Sequence, residues 1–175
     1  MSPPAPRQLE HDDHVAGPRF ALCLLAHDVV VPMNIGSLFR VADALGLEAV
    51  HCTGSSPVPP NTKINRLARG AERHVPFTQH ADPQSCLGGL RAQGYRLVSL
   101  ELTATSVPLA QLAVQAGDRM CLIVGSEKHG VAPELIAASE ACVHIPMHGH
   151  NSSMNLATAA AIACYDLTQR LAGSA

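Results

Sequence analysis

The sequence predicts an α/β protein: a mostly parallel, six-stranded sheet with helices on both faces. Three observations predict it. From Phe20 onward, short β-prone apolar runs alternate with longer stretches of helical period, the pattern of βαβ units. The 175 residues are 47% apolar and 15% charged, and a chain of this size removes roughly 70% of its unfolded surface from water on folding. The apolar runs also stay well short of the ~18 residues that a membrane span needs.

Residues 1–18 carry four prolines among scattered charges and lack the apolar stretch of a secretory signal, so a loosely ordered, flexible tail is expected there. Residues 19–175 are expected to form one domain. The strand candidates are Phe20–Leu25, Leu47–Cys52, His74–Thr78, Arg96–Leu100, Met120–Gly125 and Ala141–Ile145. Asn34 is placed to cap the first helix, which puts Ile35, Leu38, Phe39, Ala42 and Leu45 on one face and stops at Gly46. The segment T-G-S-S-P-V-P-P-N, Thr53–Asn61, is expected to be a mobile surface loop. Asp82-Pro83 opens a further helix in cap-then-first-position order and Gly94 ends it, while Met154–Leu171 reads as a long Ala-rich helix.

Composition excludes some functions. With three Phe, two Tyr and no Trp there are too few rings for a nucleic-acid binder built on base stacking. A net charge of -2 rules out a uniformly basic surface but allows a local patch. Lys63, Arg66, Arg69 and Arg73, set against Glu72, form such a patch and are candidate phosphate contacts. The six cysteines (Cys23, Cys52, Cys86, Cys121, Cys142, Cys164) contain no C-x-x-C, and five lie among apolar neighbours. Reduced, buried thiols in a cytoplasmic protein are the expectation. His144, His148 and His150 cluster in sequence, and His11 and His14 flank two aspartates, yet neither set has zinc-site spacing, so no metal is expected.

Ligand-binding loops of parallel sheets lie beyond the carboxyl ends of strands, and three such segments carry chemistry. Pro32–Gly46 holds Asn34 and Arg40 near a helix start, a setting that suits an anion or phosphate. Val124–Val131, V-G-S-E-K-H-G-V, ends a buried strand in Gly125, which permits close backbone approach, with the Glu127 carboxylate beside it. Ile145–Ile162 runs strand, polar Gly-containing loop, helix, with Ser153 and Asn155 at the helix mouth. His129 and His148 also lie in these loops.

Together, N-x-G-x-x-x-R, G-x-E-x-x-G and I-P-M-x-G-x-x-x-S-M-N, in this order, resemble the three motifs of the SpoU/TrmH family of RNA 2'-O-ribose methyltransferases. L-A-R-G-A-E-R-H-V-P from Leu67 extends the likeness, which covers about residues 20 to 170. Met154 stands where Leu is usual in that family and Ala157 where Ser or Val often follows, both mild changes in an apolar lining. The resemblance implies an S-adenosyl-L-methionine (AdoMet)-dependent RNA methyltransferase that leaves S-adenosyl-L-homocysteine, carries a deep C-terminal trefoil knot and works as a homodimer. It implies functional roles for Asn34, Arg40, Glu127, Ser153 and Asn155, and a cofactor site near Leu100, Gly125, Ile145, Met147, Ser153 and Met154. Compact members of the family often act on tRNA, so the resemblance favours tRNA over ribosomal RNA as the substrate.

Methyl transfer from a sulfonium to a ribose hydroxyl is an in-line displacement that must also lose the hydroxyl proton. A guanidinium holds its own proton too tightly to act as base. Arg40 is therefore expected to stabilise the developing 2'-oxyanion and grip the neighbouring phosphate, with Asn34, Asn155 and Glu127 holding geometry. A knotted RNA- or AdoMet-binding protein without turnover is the competing reading, and the presence of both Arg40 and Asn155 weighs against it. Neither G-x-G-x-x-G nor G-x-x-x-x-G-K-[ST] follows a strand, which removes the support for a nucleotide-dependent oxidoreductase or kinase.

Overall fold

Seven parallel strands, one more than expected, form the sheet in a computed structural model that describes residues 15–173. The expected tail lies mostly outside the described residues, as do His11 and His14; residues 15–18 join no strand or helix. The chain runs β1 (Phe20–His27), α1 (Pro32–Ala44), β2 (Leu47–Thr53), α2 (Thr62–Ala68), β3 (Phe77–His80), α3 (Pro83–Ala92), β4 (Arg96–Leu100), β5 (Val107–Pro108), β6 (Met120–Val124), α4 (Pro133–Ala138), β7 (Ala141–His144) and α5 (Leu156–Leu171). The strand order is β3-β2-β1-β6-β4-β7-β5, and every pairing is parallel.

Alternation along the central strands builds two cores. Leu22, Leu24 and Ala26 of β1 and Leu122 and Val124 of β6 face α1, α2 and α5; Cys23, Leu25, Cys121 and Ile123 face α3 and α4. Strands covered on both faces have to be apolar on both, which is why β1 and β6 read as unbroken hydrophobic runs. The expected face of α1 is buried: Ile35, Leu38, Phe39 and Ala42 are fully so, and Leu45 packs partly. Gly46, at φ +66°, ends the helix as expected.

Four expectations needed correction. The third strand starts at Phe77 rather than His74, because Ala71–Arg73 form a 3-10 turn whose Ala71 carbonyl takes the His74 and Val75 amides. Pro76 then offers no amide to a ladder. The two-residue β5 was not foreseen; it is too short and too proline-bearing to show a period. The Thr53–Asn61 loop is fastened rather than mobile: the Ser56 hydroxyl, 1% exposed, accepts from Val29 N (2.9 Å) and donates to Ala26 O (3.0 Å). Asp28 Oδ1 accepts from both Ser55 N (2.8 Å) and Ser55 Oγ (2.9 Å), and these bonds hold its carboxyl below the usual range. Finally, α5 starts at Leu156, two residues later than expected, with Asn155 as its cap.

Helices α1 and α2 meet at Gly36, where an added Cβ would lie 2.6 Å from the Ile64 carbonyl oxygen and 2.7 Å from Leu67 Cβ. The glycine of the first motif is thus a packing requirement. Gly36→Ala is expected to lower stability by about 1–3 kcal/mol through overpacking, read from urea denaturation; an unchanged midpoint would show that α2 moves aside freely.

Candidate active site

Helix α1 begins without help from its own sequence. Its N-cap, Val31, has no side-chain acceptor, and Pro32 at the first position carries no amide to satisfy. The acceptor comes instead from the loop after β6. Glu127 Oε2 accepts from Val30 N (3.2 Å), and Oε1 accepts from Val31 N (3.2 Å) and Asn34 Nδ2 (2.8 Å). Asn34 therefore sits inside α1 rather than capping it, its side chain drawn off by this carboxylate.

Its amide has to turn its NH2 toward Glu127, so its oxygen faces away and accepts from Asn155 Nδ2 at 3.2 Å. Asn155 is held in the same sense, because its own oxygen caps α5 by accepting from Ala157 N (2.9 Å) and Thr158 N (3.2 Å). The order Asn155 to Asn34 to Glu127 is directional. It ties together the three segments that follow β7, β1 and β6.

Beside it opens a cleft of about 460 Å³ at the carboxyl ends of β4, β6 and β7. All six residues expected around a cofactor line it: Leu100, Gly125, Ile145, Met147, Ser153 and Met154. Glu127 and Asn155 line it too, whereas Asn34 reaches it only through its two bonds. Gly125 admits no side chain, since a Cβ there would stand 1.9 Å from the Gly130 carbonyl oxygen. Ser126 and Gly130 exchange two backbone bonds of 2.9 Å that close this turn.

Glu101 was not among the expected residues. Its carboxylate accepts from Leu102 N and from Val131 N, both at 2.9 Å, and so pins the loop after β4 to the turn after β6. The available signal was an acidic residue directly at the end of an apolar strand. His129 was foreseen and lines the cleft; His148 and His150 are exposed, and His144 pairs with Ser106 Oγ at 2.9 Å.

Arg40 is not brought to the cleft. It is exposed, without a hydrogen bond or ion pair among the described residues. Six residues of helix place it about 9 Å along the axis from Asn34 and roughly 120° around it, so it does not return to the helix start as expected. Lys63, Arg66, Arg69 and Arg73 are all exposed, but not on one helix: Arg69 ends α2 at φ 52° and Arg73 lies in the following 3-10 turn, 4.0 Å from Glu72.

A parallel sheet whose loops after β4, β6 and β7 wall a mixed polar and apolar cleft at its carboxyl edge has the layout of an α/β ligand-binding scaffold. The SpoU rRNA methylase family model matches residues 21–165, and the chain belongs to that family. It is 33% identical over 144 residues to the 23S rRNA (guanosine(2553)-2'-O)-methyltransferase RlmP of Bacillus subtilis, covering 82% of this chain and 56% of that protein. To the tRNA (guanosine(18)-2'-O)-methyltransferase of Borreliella burgdorferi it is 26% identical over 150 residues, covering 86% and 67%. The structure superposes on the AdoMet-bound rRNA methyltransferase of Sinorhizobium meliloti with a TM-score of 0.78 at 27% identity, over 85% of this chain and 56% of that one. It also superposes on a structure concerned with 2'-OH methylation of C/U34 on tRNA, with a TM-score of 0.75 at 28% identity, over 87% and 97%. The chain spans about half the length of several curated relatives it matches. Among the described residues no helix is long and apolar enough to cross a membrane.

Asn155 has two separable jobs, which substitutions should resolve. Asn155→Ala is expected to cost about 1 kcal/mol in chemical denaturation as α5 loses its cap. Asn155→Asp keeps the acceptor and should recover most of that loss while still lacking the donor to Asn34. Equal destabilisation by both would contradict the capping role.

Proposed function

We propose that this chain is an AdoMet-dependent RNA 2'-O-ribose methyltransferase acting on tRNA, formed by one domain over residues 19–175 and working as a cytoplasmic homodimer. The observation that carries the proposal is the cleft whose walls are fastened together by Asn155, Asn34 and Glu127. Its size lies within the few-hundred to about 1,000 Å³ range of small-molecule sites. Leu100, Ile145, Met147 and Met154 offer apolar walls, Gly125 lets the Gly130 backbone close tightly against the end of β6, and Ser153, Glu127 and Asn155 bring polar groups. That donor set suits a ligand with an aromatic base at one end and a charged amino acid at the other. Bound there, AdoMet supplies a sulfonium methyl carbon open to in-line attack by a hydroxyl oxygen.

The chain's own residues do the rest. Glu127, Asn34 and Asn155 keep the three loops in register, so the cleft meets its ligand preorganised. Arg40 stabilises the 2'-oxyanion and holds the adjacent phosphate, while the hydroxyl proton leaves through phosphate, water or a carboxylate, because a guanidinium does not accept it. Lys63, Arg66, Arg69 and Arg73 grip phosphates further along the RNA.

Dimerisation accounts for the position of Arg40. On α1 it shares an outward stripe with Met33 and Ser37; on α5, which packs against α1, Ile162 and Tyr165 are 42% and 58% exposed. A second copy over this face covers the apolar residues and carries one protomer's Arg40 toward the cleft of its partner. A C-terminal trefoil knot is supported by β7, which enters between β4 and β5, two strands laid down earlier in the chain. Six free cysteines, five of them buried, support a reducing cytoplasm. tRNA is favoured by the neighbour concerned with C/U34, of which this chain covers 97%. The likeness to the 23S rRNA enzyme makes ribosomal RNA the second reading.

Purified protein with tritiated AdoMet should label bulk tRNA at a ribose 2'-oxygen in preference to ribosomal RNA. Label in ribosomal RNA alone would select the second reading, and label in neither would contradict both. Arg40→Ala is expected to lower kcat by about 10²–10³-fold, the cost of losing one oxyanion donor, with folding and AdoMet affinity little changed. Near-normal turnover would remove Arg40 from the mechanism.

A further inference from the structure

Far from the cleft along the same edge of the sheet, three side chains converge that the methyl-transfer reading leaves unused. His51 comes from β2, His80 from the end of β3 and Cys86 from the first turns of α3. One ligand atom from each lies within 4.8 Å of the other two. His51 Nδ1 and His80 Nε2 are 3.0 Å apart, and their rings tilt at 41° instead of stacking. The strand register sets this up: Thr53 pairs with His80, so His51 and His80 stand diagonally across two parallel strands, and the short turn into α3 folds Cys86 back over them.

From this geometry we propose that His51, His80 and Cys86 form a site for a zinc-class divalent cation, with solvent in the fourth position. Two imidazoles and one thiolate are a donor set that selects zinc over magnesium or calcium, which prefer oxygen. Tetrahedral zinc with bonds of about 2.0–2.3 Å separates its ligand atoms by roughly 3.3–3.6 Å. The histidine pair is within a few tenths of an ångström of that spacing, and Cys86 Sγ, within 4.8 Å of both nitrogens, completes the third side by closing on them. Binding exchanges the Cys86 S–H bond for a zinc–sulfur bond and releases that proton to solvent; the histidine whose N–H makes the 3.0 Å bond moves that proton to its other ring nitrogen, so both imidazoles bind as neutral lone-pair donors. Cys86 is 3% exposed, so a cation supplies the counter-charge that a buried thiolate otherwise lacks. Both histidines are half-buried, which leaves the fourth position open to water. Among the described residues no other group of three or more His, Cys, Asp or Glu side chains converges in this way.

The consequence is mechanical. Strand β3 is four residues long, three of them exposed, and it forms the edge of the sheet. A cation joining β2, β3 and α3 clips that edge down close to the turn that carries Arg73.

The test is titration of metal-free full-length protein with Co²⁺ and then Zn²⁺. One equivalent of Co²⁺ should give a near-ultraviolet thiolate-to-cobalt band and tetrahedral visible bands, both displaced by one equivalent of Zn²⁺. Cys86→Ser should abolish the thiolate band, and His80→Gln should weaken zinc binding by at least about 10-fold, the smaller end of what even an outer-shell change costs. Circular dichroism on each variant establishes that it is folded; if Cys86→Ser fails to fold, His51→Gln and His80→Gln carry the test alone. No retained metal, or stoichiometric binding that survives these substitutions, overturns the proposal. Because the readout is spectroscopic and independent of RNA, either outcome leaves the methyl-transfer reading to its own experiment.

Discussion

Everything at the carboxyl edge of this sheet depends on where one carboxylate goes. Glu127 leaves β6 just after a glycine that cannot take a side chain, and it spends both oxygens on the loop after β1: two backbone amides and the Asn34 amide group. Because β1 and β6 are neighbours, the link closes a short circuit between adjacent parallel strands. Exposed charged contacts contribute only about 0–1 kcal/mol each, so the importance of this one is geometric. It fixes which way Asn34 faces, and so presents the Asn34 oxygen to Asn155, the cap of α5.

A second acid performs the matching task one strand away. Glu101 joins the loop after β4 to the turn after β6 through the Leu102 and Val131 amides. The cleft is therefore braced on both sides by carboxylates bound mainly to backbone amides, which are donors that every sequence supplies. Such bracing constrains loops with few special residues, and it leaves Ser153, Met147 and His129 free to face a ligand. Arg40 and the basic residues of α2 and its following turn stand apart from this frame, exposed on the surface.

Much of this arrangement was legible in the sequence, for identifiable reasons. The central strands are covered on both faces and so advertise themselves as apolar runs, and functional loops follow strand ends, which located Asn34, Glu127, Ser153 and Asn155. What escaped was decided by tertiary context. Asn34 has the composition of a helix cap, but a carboxylate 93 residues away outcompetes that local role. Glu101 looks like any surface acid until the turn that follows β6 meets it. Strand β5 is two residues long and exists only because β7 lies beside it. His51, His80 and Cys86 have no metal-site spacing, since strand register and a helix start bring them together. The Thr53–Asn61 loop has a turn-forming composition that says nothing of the buried Ser56 hydroxyl fastening it.

The most direct measurement of the central claim is a double-mutant cycle on Asn34→Ala and Glu127→Ala, read in chemical denaturation. If the side-chain link holds the two loops together, the pair should show a coupling of about 0.5–1 kcal/mol, the overlap between the range for residues in one hydrogen-bond network and that for exposed charged contacts. Additive effects, within about 0.3–0.5 kcal/mol, would mean that the loops keep their places without it.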